Sequence, residues 1–206
     1  MKLSLVFSAT ALAALCAVAQ PALAQQRVFT TTLSGAAEAP PVATAGSGFA
    51  IVTFDLGAGT MRLQSLFGGL TGTTTVAHIH CCTAAPGTGV AGVATTTPTF
   101  PGFPVGATFG AYDQTFNMTL ASSYNPGFIT ANGGTPITAW NALLGGVGTG
   151  RAYFNIHSTF APNGEIRGFL TPVPEASTYA MMLGGLAFIG AAARRRQKAA
   201  ATAPAV

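Results

Sequence analysis

Charge is what this sequence has least of. Asp, Glu, Lys and Arg make up 7% of its 206 residues, against about a quarter of an ordinary soluble domain, so the chain is not composed like a cytosolic protein. Its formal charge of +4 does not describe a basic surface, because Lys2, Arg194, Arg195, Arg196 and Lys198 all sit near the ends. Between the ends, Arg27, Arg62, Arg151 and Arg167 face an equal number of carboxylates, Glu38, Asp55, Asp113 and Glu165. That balance leaves no basic patch for a phosphate backbone and argues against a nucleic-acid partner. The same carboxylates are too scattered to form a visible general acid/base pair. There is no Gly-x-Ser-x-Gly elbow, phosphate-binding loop or dinucleotide fingerprint, and the expectation is a protein that is not an enzyme. What the chain has instead is 26 Gly and 13 Pro, a composition that argues against an all-helical bundle.

The two ends read as addresses. Residues 1–24 have a cationic start at Lys2, an apolar stretch from Leu3 to Val18, and the small-x-small ending Ala22-Leu23-Ala24. This is the pattern of a secretory signal, exported by the Sec machinery and cut by signal peptidase at Ala22 and Ala24. Cys16 leaves with it. At the other end the turn Val173-Pro174-Glu175 precedes an apolar run, and Arg194-Arg195-Arg196 follows it. Counted from Ala176 to Ala193 the run has 18 residues, about 27 Å as a helix, close to a hydrocarbon core of about 30 Å. A transmembrane helix is therefore expected, with its arginines cytoplasmic and the preceding domain on the far side of the membrane.

The order of Pro-Glu turn, apolar helix and terminal Arg cluster over residues 173–198 resembles the PEP-CTERM sorting signal of Gram-negative bacteria. Val173, Pro174, Glu175 and Arg194 to Arg196 carry the likeness. The resemblance implies recognition and removal of the helix by an exosortase-type membrane protease, and association with exopolysaccharide or biofilm. Two departures stand out: Ala176 replaces the second Pro of the usual Pro-Glu-Pro, and a tail, the 199–206 segment preceded by Gln197 and Lys198, follows the arginines.

Residues 25–172 are long enough for one core and alternate apolar with polar residues between Gly, Pro, Asn and Thr breaks, the pattern of an all-β domain. Val28–Leu33, Phe49–Leu56, Met61–Phe67, Thr73–His80, Thr108–Leu120, Arg151–His157 and Glu165–Leu170 read as strands, with Asn163-Gly164 turning between the last two. Period two fails between Ala121 and Leu144, where Trp140, Leu143 and Leu144 can share one face of a short helix. The expected fold is mainly β, a single antiparallel β-sandwich or flattened barrel with a short helical insertion. Thr83–Gly106, rich in Gly, Pro and Thr, reads as a long surface loop.

Several phrases recur here in a familiar order: Leu33-Ser34-Gly35-Ala36-Ala37-Glu38-Ala39-Pro40-Pro41-Val42, then Ala77-His78-Ile79-His80, Arg151 to His157 and Gly164-Glu165-Ile166-Arg167-Gly168-Phe169-Leu170. Together they resemble the CHRD domain, the module named after chordin and widespread in exported bacterial proteins. The resemblance implies an extracellular β-rich module and no settled molecular activity.

All three histidines lie on strand-like segments. His78 and His80, two apart, project from the same face; Tyr153, Asn155 and His157 share another, while Ala152, Phe154 and Ile156 look inward. If these two strands are neighbours, three imidazoles converge, and neutral imidazoles are ligands for Zn or Cu. The alternative is structural, with each ring hydrogen-bonded to a loop carbonyl. Cys81-Cys82 follows His80 directly and is expected in an oxidising compartment. A vicinal disulfide is the first expectation, although the Cα atoms would lie only about 3.8 Å apart across a trans peptide. Thiolate ligation beside the histidines and a bond between two molecules are the alternatives. Glu165 and Arg167, at i and i+2 on the last strand, face the same side and read either as a surface ion pair of less than about 1 kcal/mol or as a buried Arg or Glu hydrogen-bonded to loop carbonyls. Glu38 reads as a loop residue.

Two functional readings follow. The first is an exported surface or matrix protein, held for a time in the inner membrane and then moved to the cell surface or beyond, whose weakly charged, Thr-rich strands suit contacts with polysaccharide or a neighbouring surface protein. The second is a metalloprotein using His78, His80 and His157, with oxidoreduction as its extreme form.

Overall fold

Alternation dictates the strands. Every second residue of β1 (Gln26–Ser34), β2 (Ser47–Asp55) and β3 (Thr60–Gly68) turns inward, burying Phe29, Thr31 and Leu33, then Ala50, Val52 and Phe54, then Met61, Leu63 and Phe67. In the computed structural model, which describes residues 26–174 and 176–201, β4 (Thr74–Cys81), β5 (Gly110–Asn117), β6 (Ala152–Ser158), β7 (Ile166–Phe169) and β8 (Thr171–Pro172) complete the set. Residues 1–25, which hold the expected leader and its cut at Ala22 and Ala24, lie outside the described residues, as do Glu175 and 202–206.

The strands form one antiparallel sheet in the order β4-β6-β7-β1-β2-β3-β5, with β8 also on β1, curled into a half-barrel. The mainly β, antiparallel expectation holds, and of its two forms, sandwich or flattened barrel, the sandwich gives way to one curled sheet. A sandwich needs a second sheet to cover the apolar face; here α2 (Pro136–Gly148) and the segment after β4 supply that cover. Thr135 caps α2 with Thr138 in a capping box, and Pro136 takes its first turn, where a missing N–H costs nothing. Ala139, Trp140, Leu143 and Val147 are buried in the same apolar cluster as Phe54, Phe154 and Ile79, with the Trp140 and Phe54 rings meeting edge-on at 5.5 Å. Leu144 is only partly buried against this cluster. A shorter helix, α1 (Pro126–Ala131), precedes α2.

The Gly/Pro/Thr-rich segment is not a free surface loop. It runs along the open edge of β4, where Ala94 N donates to Ile79 O (2.9 Å), Phe100 N to Ala77 O (3.3 Å) and Gly106 N to Thr74 O (2.8 Å). Phe100 and Ala94 are wholly buried. An unpaired edge invites pairing with other chains, and this strap occupies it. The last hairpin also differs from the expected tight turn: Ile156 pairs with Ile166, so Asn163-Gly164 lies inside a longer connection.

At Gly168 on β7, a Cβ would fall inside contact distance of Thr31 Oγ1 and Thr32 O on β1. Overpacking of this kind costs about 1–3 kcal/mol, and Gly168→Ala is expected to lower the urea midpoint by about 2 kcal/mol equivalent; an unchanged midpoint contradicts the close approach.

C-terminal to the sheet, α3 (Ala176–Ala201) follows the apolar run and the arginines, with Met181, Leu183, Leu186, Phe188 and Ile189 exposed. Among the described residues no helix is long and apolar enough to cross a membrane.

Candidate metal centre

β6 is buried along its whole length, which alternation alone would not produce. Ala152, Phe154 and Ile156 face the apolar core, while Tyr153, Asn155 and His157 lie on the outer face under a second cover. β4 is its neighbour, with His80 opposite Tyr153, His78 opposite Asn155, and Val76 opposite His157. This register brings together the three histidines singled out by the sequence. Their ring centroids form a nearly equilateral triangle, 5.9 Å from His78 to His80, 5.6 Å from His78 to His157 and 5.7 Å from His80 to His157.

Each ring is held by one nitrogen. His78 Nε2 meets Pro98 O at 2.6 Å, His80 Nδ1 meets Ala91 O at 2.9 Å, and His157 Nδ1 meets Pro162 O at 2.9 Å. A carbonyl oxygen only accepts, so these nitrogens carry the protons, which fixes the tautomers. The opposite nitrogens, His78 Nδ1, His80 Nε2 and His157 Nε2, are buried and have no hydrogen-bond partner. They are unprotonated acceptors, and one ring nitrogen from each of the three histidines lies within 4.8 Å of the other two. A common ion at about 2.0–2.1 Å from each nitrogen would draw them to about 3.4 Å, a closure of the order of side-chain rotation. An outer carbonyl holding the far N–H of a histidine is also how metal-ligating imidazoles are oriented. Among the described residues this is the one cluster of its kind.

Burial pushes all three imidazoles below their ordinary pKa, His80 to about 4, against the opposing effect of the carbonyl bonds. The rings are therefore neutral at pH 7, the state a metal requires.

Around the triangle lie Tyr153, which alternation already set on the face of His157, and two charged groups that the sequence offered no reason to place there. Tyr153 stacks on His80 with centroids 4.8 Å apart, and its hydroxyl bonds to Ala91 O (3.3 Å) while accepting from Ala91 N (3.2 Å). The Arg167 guanidinium sits 4.6 Å over the same ring and donates to Ala37 O (2.6 Å) and Gly89 O (3.0 Å). Arg167 Nε is 3.6 Å from Glu38 Oε2. Glu38 is thus no ordinary loop residue: burial pushes its carboxyl up to about 7 although Arg167 pulls it down, and its Oε1 has no partner. Lone charges within so neutral a sequence were the one available signal. Glu165 does not pair with Arg167. It is fully buried and accepts from Thr44 Oγ1, Thr71 N, Gly72 N and Ser158 Oγ, which removes the exposed-pair reading and leaves the two as separate buried anchors.

Cys81 and Cys82 are joined to each other through a cis rather than a trans peptide. Cys81 is buried in the core cluster and Cys82 is exposed, with both Sγ atoms against Gly146 of α2.

The CHRD domain family model matches residues 29–170, and the PEP-CTERM protein-sorting motif matches residues 172–196. No curated protein and no solved structure matches the chain.

Proposed function

We infer that this chain, which belongs to the CHRD domain family, is an exported surface protein processed by an exosortase-type enzyme, and that its β domain carries a metal ion on His78, His80 and His157. The sorting half rests on the motif at 172–196. In this reading the leader at 1–24 takes the chain out through the Sec machinery, and the segment matched by the sorting motif holds it at the inner membrane until cleavage near Pro174 and Glu175 releases the domain to the surface or matrix. Fractionated cells are expected to yield a surface or extracellular product lacking α3, while a chain ended at Thr171 should miss the inner-membrane stage. Full-length protein persisting in the inner membrane contradicts the processing.

The metal half rests on one observation: three clustered imidazoles, each with one buried nitrogen that has no partner, on rings whose other nitrogens are already held. A structural role alone accounts for the carbonyl bonds and leaves these three lone pairs unexplained. The module need not act on a substrate. Thr-rich, weakly charged outer strands suit contact with exopolysaccharide or a surface protein, and the metal would serve to fix the strap and the hairpin over β4 and β6. The chain recovered after export is expected to hold one metal equivalent, and a His78→Ala, His157→Ala double variant none. A metal-free wild type that cannot be loaded with Zn or Cu defeats the reading. The vicinal Cys81–Cys82 disulfide belongs to the same proposal as a rigid end to β4, and mass spectrometry of the exported chain should find no free thiol.

A further inference from the structure

We propose that the ion held by His78, His80 and His157 is monovalent copper, in a closed three-coordinate site. This rests on the metal reading above and deepens it. The ligand set carries no charge. Every ring has its second N–H committed to a backbone carbonyl, Pro98, Ala91 or Pro162, so none can ionise to imidazolate without losing that bond. No carboxylate or thiolate joins the cluster. The buried Glu38 carboxyl is turned to Arg167, and the Arg167 cation reaches His80 through one intervening ring, that of Tyr153.

The energy of placing an ion in such a medium grows as the square of its charge, so a divalent ion meets about four times the desolvation cost of a monovalent one. Divalent zinc ordinarily recovers that cost through four ligands, often thiolates, or through a bound water in an open position. Here the three nitrogens are themselves out of solvent contact, which leaves no route for a fourth ligand from water. Cuprous copper has a filled d shell, accepts imidazole, and is satisfied by three donors in a plane, which is what a near-equilateral triangle of neutral rings offers.

The test uses the chain recovered after export, stripped with chelator and reloaded. Cu(I), added without oxygen in competition with a chromogenic cuprous chelator, is expected to bind one per chain and at least about 100-fold more tightly than Zn(II) against a matched zinc chelator. The copper-loaded chain is then expected to stay silent in electron paramagnetic resonance after exposure to air, with three nitrogens around copper by X-ray absorption. These measurements need no variant, so a failure of His78→Ala to fold does not obscure them. Zinc bound to the same histidines as tightly as copper, or a cupric signal growing in air, overturns this inference and leaves the metal site standing. If neither metal binds, both fall.

Discussion

Glu165→Ala is expected to cost the domain about 4 kcal/mol, although the residue touches neither the imidazoles nor the apolar core. Its carboxylate is fully buried and gathers four donors from three separate segments: Thr44 Oγ1 at 2.6 Å from the loop before β2, Thr71 N at 2.6 Å and Gly72 N at 3.2 Å from the loop before β4, and Ser158 Oγ from the end of β6. Burial would raise its pKa, yet these four bonds together hold it below the ordinary carboxylate value. Alanine would leave the Thr71 and Gly72 N–H groups without their acceptor, the Gly72 N–H in a buried position. Each buried donor left unpartnered costs about 1–3 kcal/mol, and the lost side-chain volume adds a cavity.

The conservative variant separates charge from packing. Glu165→Gln keeps the volume, but each carboxylate oxygen accepts from one backbone N–H, Thr71 N on Oε1 and Gly72 N on Oε2, so the amide NH2 must meet one of these donors and the variant is expected to recover no more than about half of the loss. For a domain of this size about 4 kcal/mol corresponds to a fall in Tm of roughly 10 °C. Urea melts should show a lower midpoint with an unchanged slope. If Glu165→Ala melts within about 1 kcal/mol of the wild type, the carboxylate is not the clasp described.

Much of this was readable before any fold was known, and the reasons for the misses are specific. Alternation in Phe49–Leu56 and Met61–Phe67 marked β2 and β3, because a strand half-buried on one face writes period two into its sequence. The same rule put His78 with His80, and His157 with Tyr153 and Asn155. That β4 and β6 are neighbours was a condition the sequence could state and not decide, since pairing between strands some 75 residues apart in the chain is set by the whole sheet. The strap was misread for a physical reason: it bonds to the edge of β4 through its backbone, and backbone bonds need no side-chain pattern. One curled sheet replaced the sandwich because alternation shows that a face is covered without showing by what. Glu165 and Arg167 were legible as unusual, lone charges among apolar residues, but each partner lies in a loop remote in sequence, Ala37 and Gly89 for one and Thr44 and Thr71 for the other. The carbonyls of Ala91, Pro98 and Pro162 that fix the imidazoles carry no signature at all.

In the metal-free chain those imidazoles should make the domain labile to acid. Their folded pKa values are depressed, His80 to about 4, chiefly by burial, with the other two rings and Arg167 adding to the effect on His80. An unfolded His takes its proton near pH 6.5. Between about pH 6.5 and 4 the unfolded chain therefore binds protons that the folded one refuses, and stability falls as the pH falls. For His80 alone the full window is worth about 3 kcal/mol at about 1.36 kcal/mol per unit. Glu38 works in the opposite sense. Its folded pKa is raised to about 7, so its contribution is complete below the unfolded value near 4.5 and is lost as pH rises through 7. From about pH 4.5 to 6.5 the proton retained by Glu38 offsets the one refused by His80, so the net climb of the urea midpoint with pH is expected to come from His78 and His157, whose folded pKa values are also lowered by burial. Glu38→Gln removes the opposing proton, so its acid limb should be steeper than that of the wild type. Metal bound to the triangle must be displaced by protons, so loading should shift the acid limb to lower pH. A metal-free midpoint that is flat between pH 5 and 7, or that rises on acidification, would show that the three rings are not held neutral by the fold, and with that the lone pairs would no longer be there for an ion to use.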